Sequence, residues 1–196
     1  MDDRAPTADQ LAAACAAWQG GRDVGSSPIR GGARILTRLP HYFTAEFITT
    51  YEQRALDEPS ILDDARTLLS ALEQSPKRAG DGWQISLDAT SPIAKRGIKS
   101  GAQDSQILDT LRTGRIAMPL WGVSLDPDVA ASFGRRFTFV LEDEFPAIPA
   151  WVHSGAKAEE QELITGGVYE VTDMSDIDET TEVRLRWTGH CEITQE

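Results

Sequence analysis

The chain has 196 residues, of which 40% are hydrophobic, and its 19 Lys plus Arg stand against 31 Asp plus Glu for a formal net charge of -12. That acid excess argues against a surface built to hold nucleic-acid backbone. The length suits one domain, or one domain with a helical extension, and suffices to bury a core.

The Met1-Asp2-Asp3-Arg4 start lacks the basic region and apolar stretch of a Sec-type signal, and no apolar run is long enough to cross a bilayer. These features lead us to expect a cytoplasmic protein as encoded, with no membrane partner. Cys15 and Cys191 are too few for a disulfide framework, so a reduced protein is expected. His41, His153 and His190 make no pair at metal-ligand spacing, and no metal is expected.

In chain order, Thr7 and Gln10 form a capping box before Leu11 to Trp18, and Gly20-Gly21 stops this helix, which reads as short and peripheral. Residues 20–32 are rich in Gly, Ser and Arg and read as a linker. Arg34 to Leu39 reads as a short strand before Pro40. We therefore divide the chain into an N-terminal helix and linker, 1–42, and a single domain, 43–196, with a helical lead-in (43–80) and a β-rich core (82–190).

Thr44 to Asp57 and Ser60 to Gln74 read as a helical hairpin joined near Pro59. Ser60 and Asp63 are placed to cap its second helix, and Ile61, Leu62, Ala65, Leu68, Leu69 and Leu72 form one stripe. Trp83 to Leu87 alternates as a strand, and Pro92 to Ile98 suits another. Helical spacing returns from Gln103 to Arg112, with Gly114 as the stop.

Beyond Gly114 the segments are short, aromatic and β-branched: Leu120 to Ser124, Phe137 to Leu141, Ala150 to Val152, Glu162 to Ile164, Val168 to Val171 and Val183 to Trp187. Asp126 as cap and Pro127 at the first helical position start a short helix to Phe133. Asp173 to Glu182 reads as an acidic, turn-rich connector. Helices early and strands late make an α+β chain.

The run Glu159-Glu160-Gln161-Glu162 sets three carboxylates against the apolar Leu163-Ile164. If this run is extended, Glu160 and Glu162 point the same way, roughly 6–7 Å apart, and Glu159 points opposite. Two carboxylates on one face can divide chemical labour. An ionised carboxylate can stabilise an oxocarbenium-like sugar while another group handles a proton.

Glu159 to Val171, through Gly166-Gly167, resembles the Glu-x-Glu segment of mono-ADP-ribosyltransferases of the Arg-Ser-Glu class, a family that includes clostridial toxins, bacterial effectors and phage enzymes. Gly122 to Gly134 is similar to that family's Ser-Thr-Ser strand and helix start, with Gly122 standing where the first serine usually sits and Ser124 the only hydroxyl of the motif left to carry over. Ala94 to Ile98 resembles its strand-ending Arg-Gly. Arg30 and Arg38 compete for that role, and the order of segments favours Arg96.

The resemblance implies the split, mixed β-sheet core of the ADP-ribosyltransferase fold behind a helical N-terminal part. It implies NAD as substrate, no metal, release of nicotinamide, and transfer of ADP-ribose to a macromolecular target. The implied catalytic residues are Glu162 acting on NAD, Glu160 on the acceptor, and Ser124. The implied NAD-binding residues are Arg96 and Gly97, with Phe137 or Phe139 as an aromatic wall. Glu at position 160 implies a protein arginine as acceptor, and a nucleic-acid target is disfavoured. The alternatives are a catalytically silent binding module of the same fold, or an NAD glycohydrolase using the same site. A bacterial effector or phage setting follows, with delivery into a target cell by a non-Sec route compatible with the sequence.

Overall fold

A computed structural model describes residues 5–21, 25–37, 45–75, 94–98, 104–132, 137–177 and 180–194. Among the described residues, four helices come first: α1 (Ala8–Ala16), continued by a π turn Ala17–Gly21, then α2 (Ser27–Thr37), α3 (Ala45–Asp57) and α4 (Pro59–Gln74). The remainder runs β1 (Ala94–Ile98), α5 (Asp104–Arg112), β2 (Arg115–Ser124), α6 (Pro127–Ser132), β3 (Phe137–Glu142), β4 (Ile148–Pro149), α7 (Ala150–Ser154), a 3-10 turn Ala158–Glu160, β5 (Glu162–Ile177) and β6 (Thr180–Gly189). This is the α+β arrangement expected, with a mixed sheet.

Local signals explain many boundaries. Thr7 and Gln10 cap α1 reciprocally, with the Thr7 N–H donating to Gln10 Oε1 at 2.9 Å and the Gln10 N–H to Thr7 Oγ1 at 3.2 Å. α4 starts with Pro59 at its first turn, and its cap is Glu58, whose side chain makes no capping bond, rather than Ser60. Gly114, at φ 77°, ends α5 with its N–H on the Leu111 carbonyl.

Four of the expected segments turn out differently. Arg34 to Thr37 belongs to α2 and is not a strand; Gly31 lets that helix approach α3 closely, since a Cβ there would lie 2.9 Å from the Tyr51 carbonyl. The presumed linker from Gly20 to Gly32 thus contains the start of a helix. Ala150 to Val152 opens α7 rather than a strand, ending at the left-handed Gly155. Asp173 to Glu182 is strand as far as Ile177 and again from Thr180, where β5 and β6 form an antiparallel pair. The strand expected at Trp83 to Leu87 lies outside the described residues.

The sheet curls on itself. Its order is β2-β1-β3-β6-β5-β4, and β5 pairs a second time with β2. All pairings are antiparallel except β3 with β6. β5 achieves this through its length: Glu162 to Glu170 align with β2, and Val168 to Ile177 align with β6. Between Met118 and Trp121 the register of β2 shifts, two residues opposing Gly166 alone. Pro119 sits in that bulge, where a missing N–H is tolerated.

β2 and β5 form a wall between two cores. Trp121, Val123, Leu163 and Tyr169 turn into the curl of the sheet with Phe137, Phe139, Val183 and Leu185. Leu120 and Ile164 turn the other way, packing with Ile148 and with Trp18, Ile29, Ile61 and Leu68 of the helices. Strand alternation therefore assigns Gly122, Ser124 and Glu162 to the helical side of the wall. The N-terminal helix is not peripheral: Ala14, Cys15 and Trp18 are buried in the same core as α2 and α4.

Candidate functional site

Ser124 and Glu162 face each other as register partners at the ends of β2 and β5. Glu162 is the first residue of its strand, and the carboxylate run before it is not extended. Lys157 and Gln161 are both left-handed, at φ 53° and 43°, and flank the 3-10 turn that holds Glu159 and Glu160. Period-two alternation begins at Glu162, so it does not govern where Glu159 and Glu160 point. Glu159 is exposed, whereas Glu160 and Glu162 are half-buried.

Ser124 ties this loop down. Its hydroxyl donates to the Glu160 carbonyl at 2.7 Å and accepts from the Asp126 N–H at 3.0 Å, while the Leu125 N–H reaches the Gln161 carbonyl at 3.3 Å. The side chain of Ser124 is thus engaged with backbone on both sides of the strand end. Glu160 forms an ion pair through Oε1 with Lys157 Nζ at 3.3 Å.

The carboxylate of Glu162 meets a partner from the far end of the chain. Trp18 Nε1–H donates to Glu162 Oε1 at 2.9 Å, across 144 positions of sequence. Trp18 is only 1% exposed, so this donor is withheld from water. On the opposing strand Gly122 leaves the space the carboxylate fills, because a Cβ there would overlap Glu162 Oε1. Cys15, one helical turn before Trp18, has its thiol pushed up to about 12, first by burial and then by the charge of Glu162.

The turn after α1 also braces the acidic loop. The Ser154 hydroxyl at the end of α7 donates to Oε1 of the buried Gln19, and Gly20 lies beside the Lys157 side chain.

The remaining expected residues fall in two groups. Arg96 and Gly97 lie in β1, between β2 and β3: Lys95 pairs with Ser124, Arg96 with Phe139 and Gly97 with Thr138. The backbone therefore sets Arg96 one residue from the partner of Ser124. Arg30 lies within α2, and Arg38 is outside the described residues. Phe137 and Phe139 are both 0% exposed, stacked at 6.5 Å between centroids, with Phe139 edge-on to Trp121 at 5.8 Å. They turn into the curl of the sheet, so the expected aromatic wall for nicotinamide is corrected: both rings are core. Among the described residues no group of three or more His, Cys, Asp or Glu could hold a metal ion, and no helix is long and apolar enough to cross a membrane.

No family model and no curated protein matches the chain by sequence. Solved structures do match by shape. The C3 exoenzyme of Clostridium limosum superposes with a TM-score of 0.54 at 12% identity, covering 95% of this chain and 87% of its own. Vis toxin, an ADP-ribosyltransferase from Vibrio splendidus, gives 0.50 at 16% identity over 93% and 74%. The chain has the ADP-ribosyltransferase fold. Exoenzyme S from Pseudomonas aeruginosa, whose structure was determined with human 14-3-3 protein beta and Carba-NAD, shares this fold with a TM-score of 0.52 at 14% identity over 91% and 86%. On this ADP-ribosyltransferase fold, Trp18 is the site residue that sequence reasoning missed. Its only local sign is an aromatic residue closing an otherwise Ala-rich helix, a pattern that names no partner.

Proposed function

We propose that the chain is an NAD-dependent mono-ADP-ribosyltransferase, with a protein arginine as acceptor and nicotinamide as the leaving group. One observation carries the reading: a carboxylate, Glu162, is seated at the end of the β2–β5 wall with a buried donor fixing one oxygen, on a fold shared with ADP-ribosyltransferases. Breaking the bond between ribose C1′ and nicotinamide sends its electron pair to the nicotinamide nitrogen and leaves positive charge on the sugar. A fixed carboxylate beside that sugar stabilises the charge as it develops.

In this reading an arginine nitrogen then supplies the lone pair that forms the new bond to C1′, and Glu160 takes the proton the guanidinium gives up. Lys157 is paired to Glu160 in the free protein, and an incoming guanidinium would replace it. Arg96 is assigned to the NAD pyrophosphate, which a planar fork of donors suits, with Gly97 beside it. Ser124 acts by holding the Glu160 backbone. The setting we favour is a bacterial effector or phage enzyme that reaches its target cell by a non-Sec route.

The test is incubation with labelled NAD and cell lysate beside Glu162→Ala, following label on macromolecules and free nicotinamide. Glu162-dependent label on protein arginine is the expected outcome. Label on a nucleic-acid base or another residue would refute the acceptor. Nicotinamide without label would make water the acceptor and the protein a glycohydrolase. Gly122, which brings no hydroxyl to the site, supports a second reading as a silent binding module, and the absence of both products across lysates would favour it.

A further inference from the structure

The Trp18–Glu162 contact joins three features that local folding does not require of one another. The first is the donor. An indole has one N–H and no acceptor, and this ring is locked in the helical core, so the proton has a single direction and cannot rotate away as a hydroxyl can. A bond from a buried donor to a carboxylate is among the stronger ones in a protein. The second is Gly122, where any side chain would displace Glu162 Oε1 from the indole. The third is Cys15, whose burial and proximity to Glu162 keep its thiol protonated, so that it adds no second negative charge at the carboxylate.

We infer that Trp18 is a positioning residue for Glu162: its indole N–H holds Oε1 and selects one orientation of the carboxylate, and the bare backbone at Gly122 makes room for that orientation. The inference rests on the reading of Glu162 as the residue that acts on NAD. It makes the N-terminal helix part of the reaction centre, although the sequence marks that helix as an appendage.

Trp18→Phe keeps most of the ring and removes the N–H. The expected result is a fall in kcat for nicotinamide release of about 10- to 100-fold, the usual effect of losing a bond to a charged group. KM for NAD should stay within about threefold of wild type, because the lost contact orients the catalytic group and touches no NAD. Gly122→Ser supplies the decisive comparison. In the wild-type background it should lower activity by displacing the carboxylate from the indole; in Trp18→Phe there is no indole bond left to break, so Gly122→Ser should cost less there than it does in wild type.

A purely structural Trp18 would give two losses that add and a KM that rises with the fall in kcat, and that outcome overturns the inference. If Trp18→Phe does not fold, the indole N–H resonance of Trp18 in the otherwise intact chain gives the answer. It should shift in Glu162→Gln and not in Glu159→Gln, and indifference to Glu162 overturns the inference as well. Wild-type protein that releases no nicotinamide refutes the NAD reading, and the catalytic role with it, even where the indole resonance still responds to Glu162.

Discussion

Ser124→Ala separates two accounts of the serine, one in which it contacts NAD and one in which it pins the loop that carries Glu160. Ser124 is 5% exposed, and its hydroxyl donates to the Glu160 carbonyl at 2.7 Å and accepts from the Asp126 N–H at 3.0 Å. Removing it leaves a part-buried acceptor and a part-buried donor without this partner. Such losses cost about 1–3 kcal/mol, and the half-exposed loop on the Glu160 side places the expected value at about 1–2 kcal/mol. In a domain of this length each kcal/mol moves Tm by about 2–4 °C, so the midpoint should fall by roughly 2–8 °C. Circular dichroism melts measure this directly. Calorimetric titration with NAD should give an affinity within about threefold of wild type. Label transfer should fall more than nicotinamide release, because the loosened residue is the one assigned to the acceptor. An unchanged Tm with tenfold weaker NAD binding would refute the argument and return Ser124 to the substrate.

The other predictions concern the wall and the buried thiols. Gly166→Ala should destabilise by about 3 kcal/mol or more, since its Cβ would overlap the Pro119 carbonyl oxygen in the β2 bulge and backbone has little room to yield; an unchanged urea midpoint would refute it. Burial pushes both Cys15 and Cys191 from near 9 up to about 12, so the folded protein favours the protonated thiols. Their stability contribution is fully present below about pH 9 and declines as pH rises to about 12, by about 1.4 kcal/mol per pH unit for each thiol. Denaturation of wild type and the double Cys→Ala variant across that window should show a steeper alkaline loss in wild type. Neither thiol should react with a thiol reagent at pH 8 until denaturant is added, and prompt reaction of the native protein would contradict their burial.

Features that act within a few residues were legible in the sequence. The Thr7-Gln10 box, Pro127 at a helix start and Gly114 at a helix stop all encode their elements through bonds or steric limits spanning one turn. The two helices of the 45–74 hairpin, the Phe137 strand and the β1 strand around Arg96 were also read correctly. The errors fall where tertiary packing selected among local options. Arg34 to Thr37 carries strand-compatible residues, yet its burial against α3 and α4 requires the small Gly31 and Gly32 on a helical face. Ala150 to Val152 coils as α7 because Gly155 terminates a turn there, and Asp173 to Ile177 stays extended because β6 supplies a partner.

By itself the sequence determined the α+β succession, the Glu-x-Glu segment against a buried strand, and the order of arginine, serine and glutamate segments. Those are statements about neighbours along the chain. Only the tertiary structure decided that alternation along β2 and β5 turns Gly122, Ser124 and Glu162 toward the helices, and that Trp18 waits there with its indole N–H. It also moved Phe137 and Phe139 into the core and gave Ser124 a backbone to hold. The physical reason is distance along the chain: a hydrogen bond spanning 144 positions leaves no periodicity, composition or spacing in either segment, and exists only once the curled sheet and the helical layer have packed together.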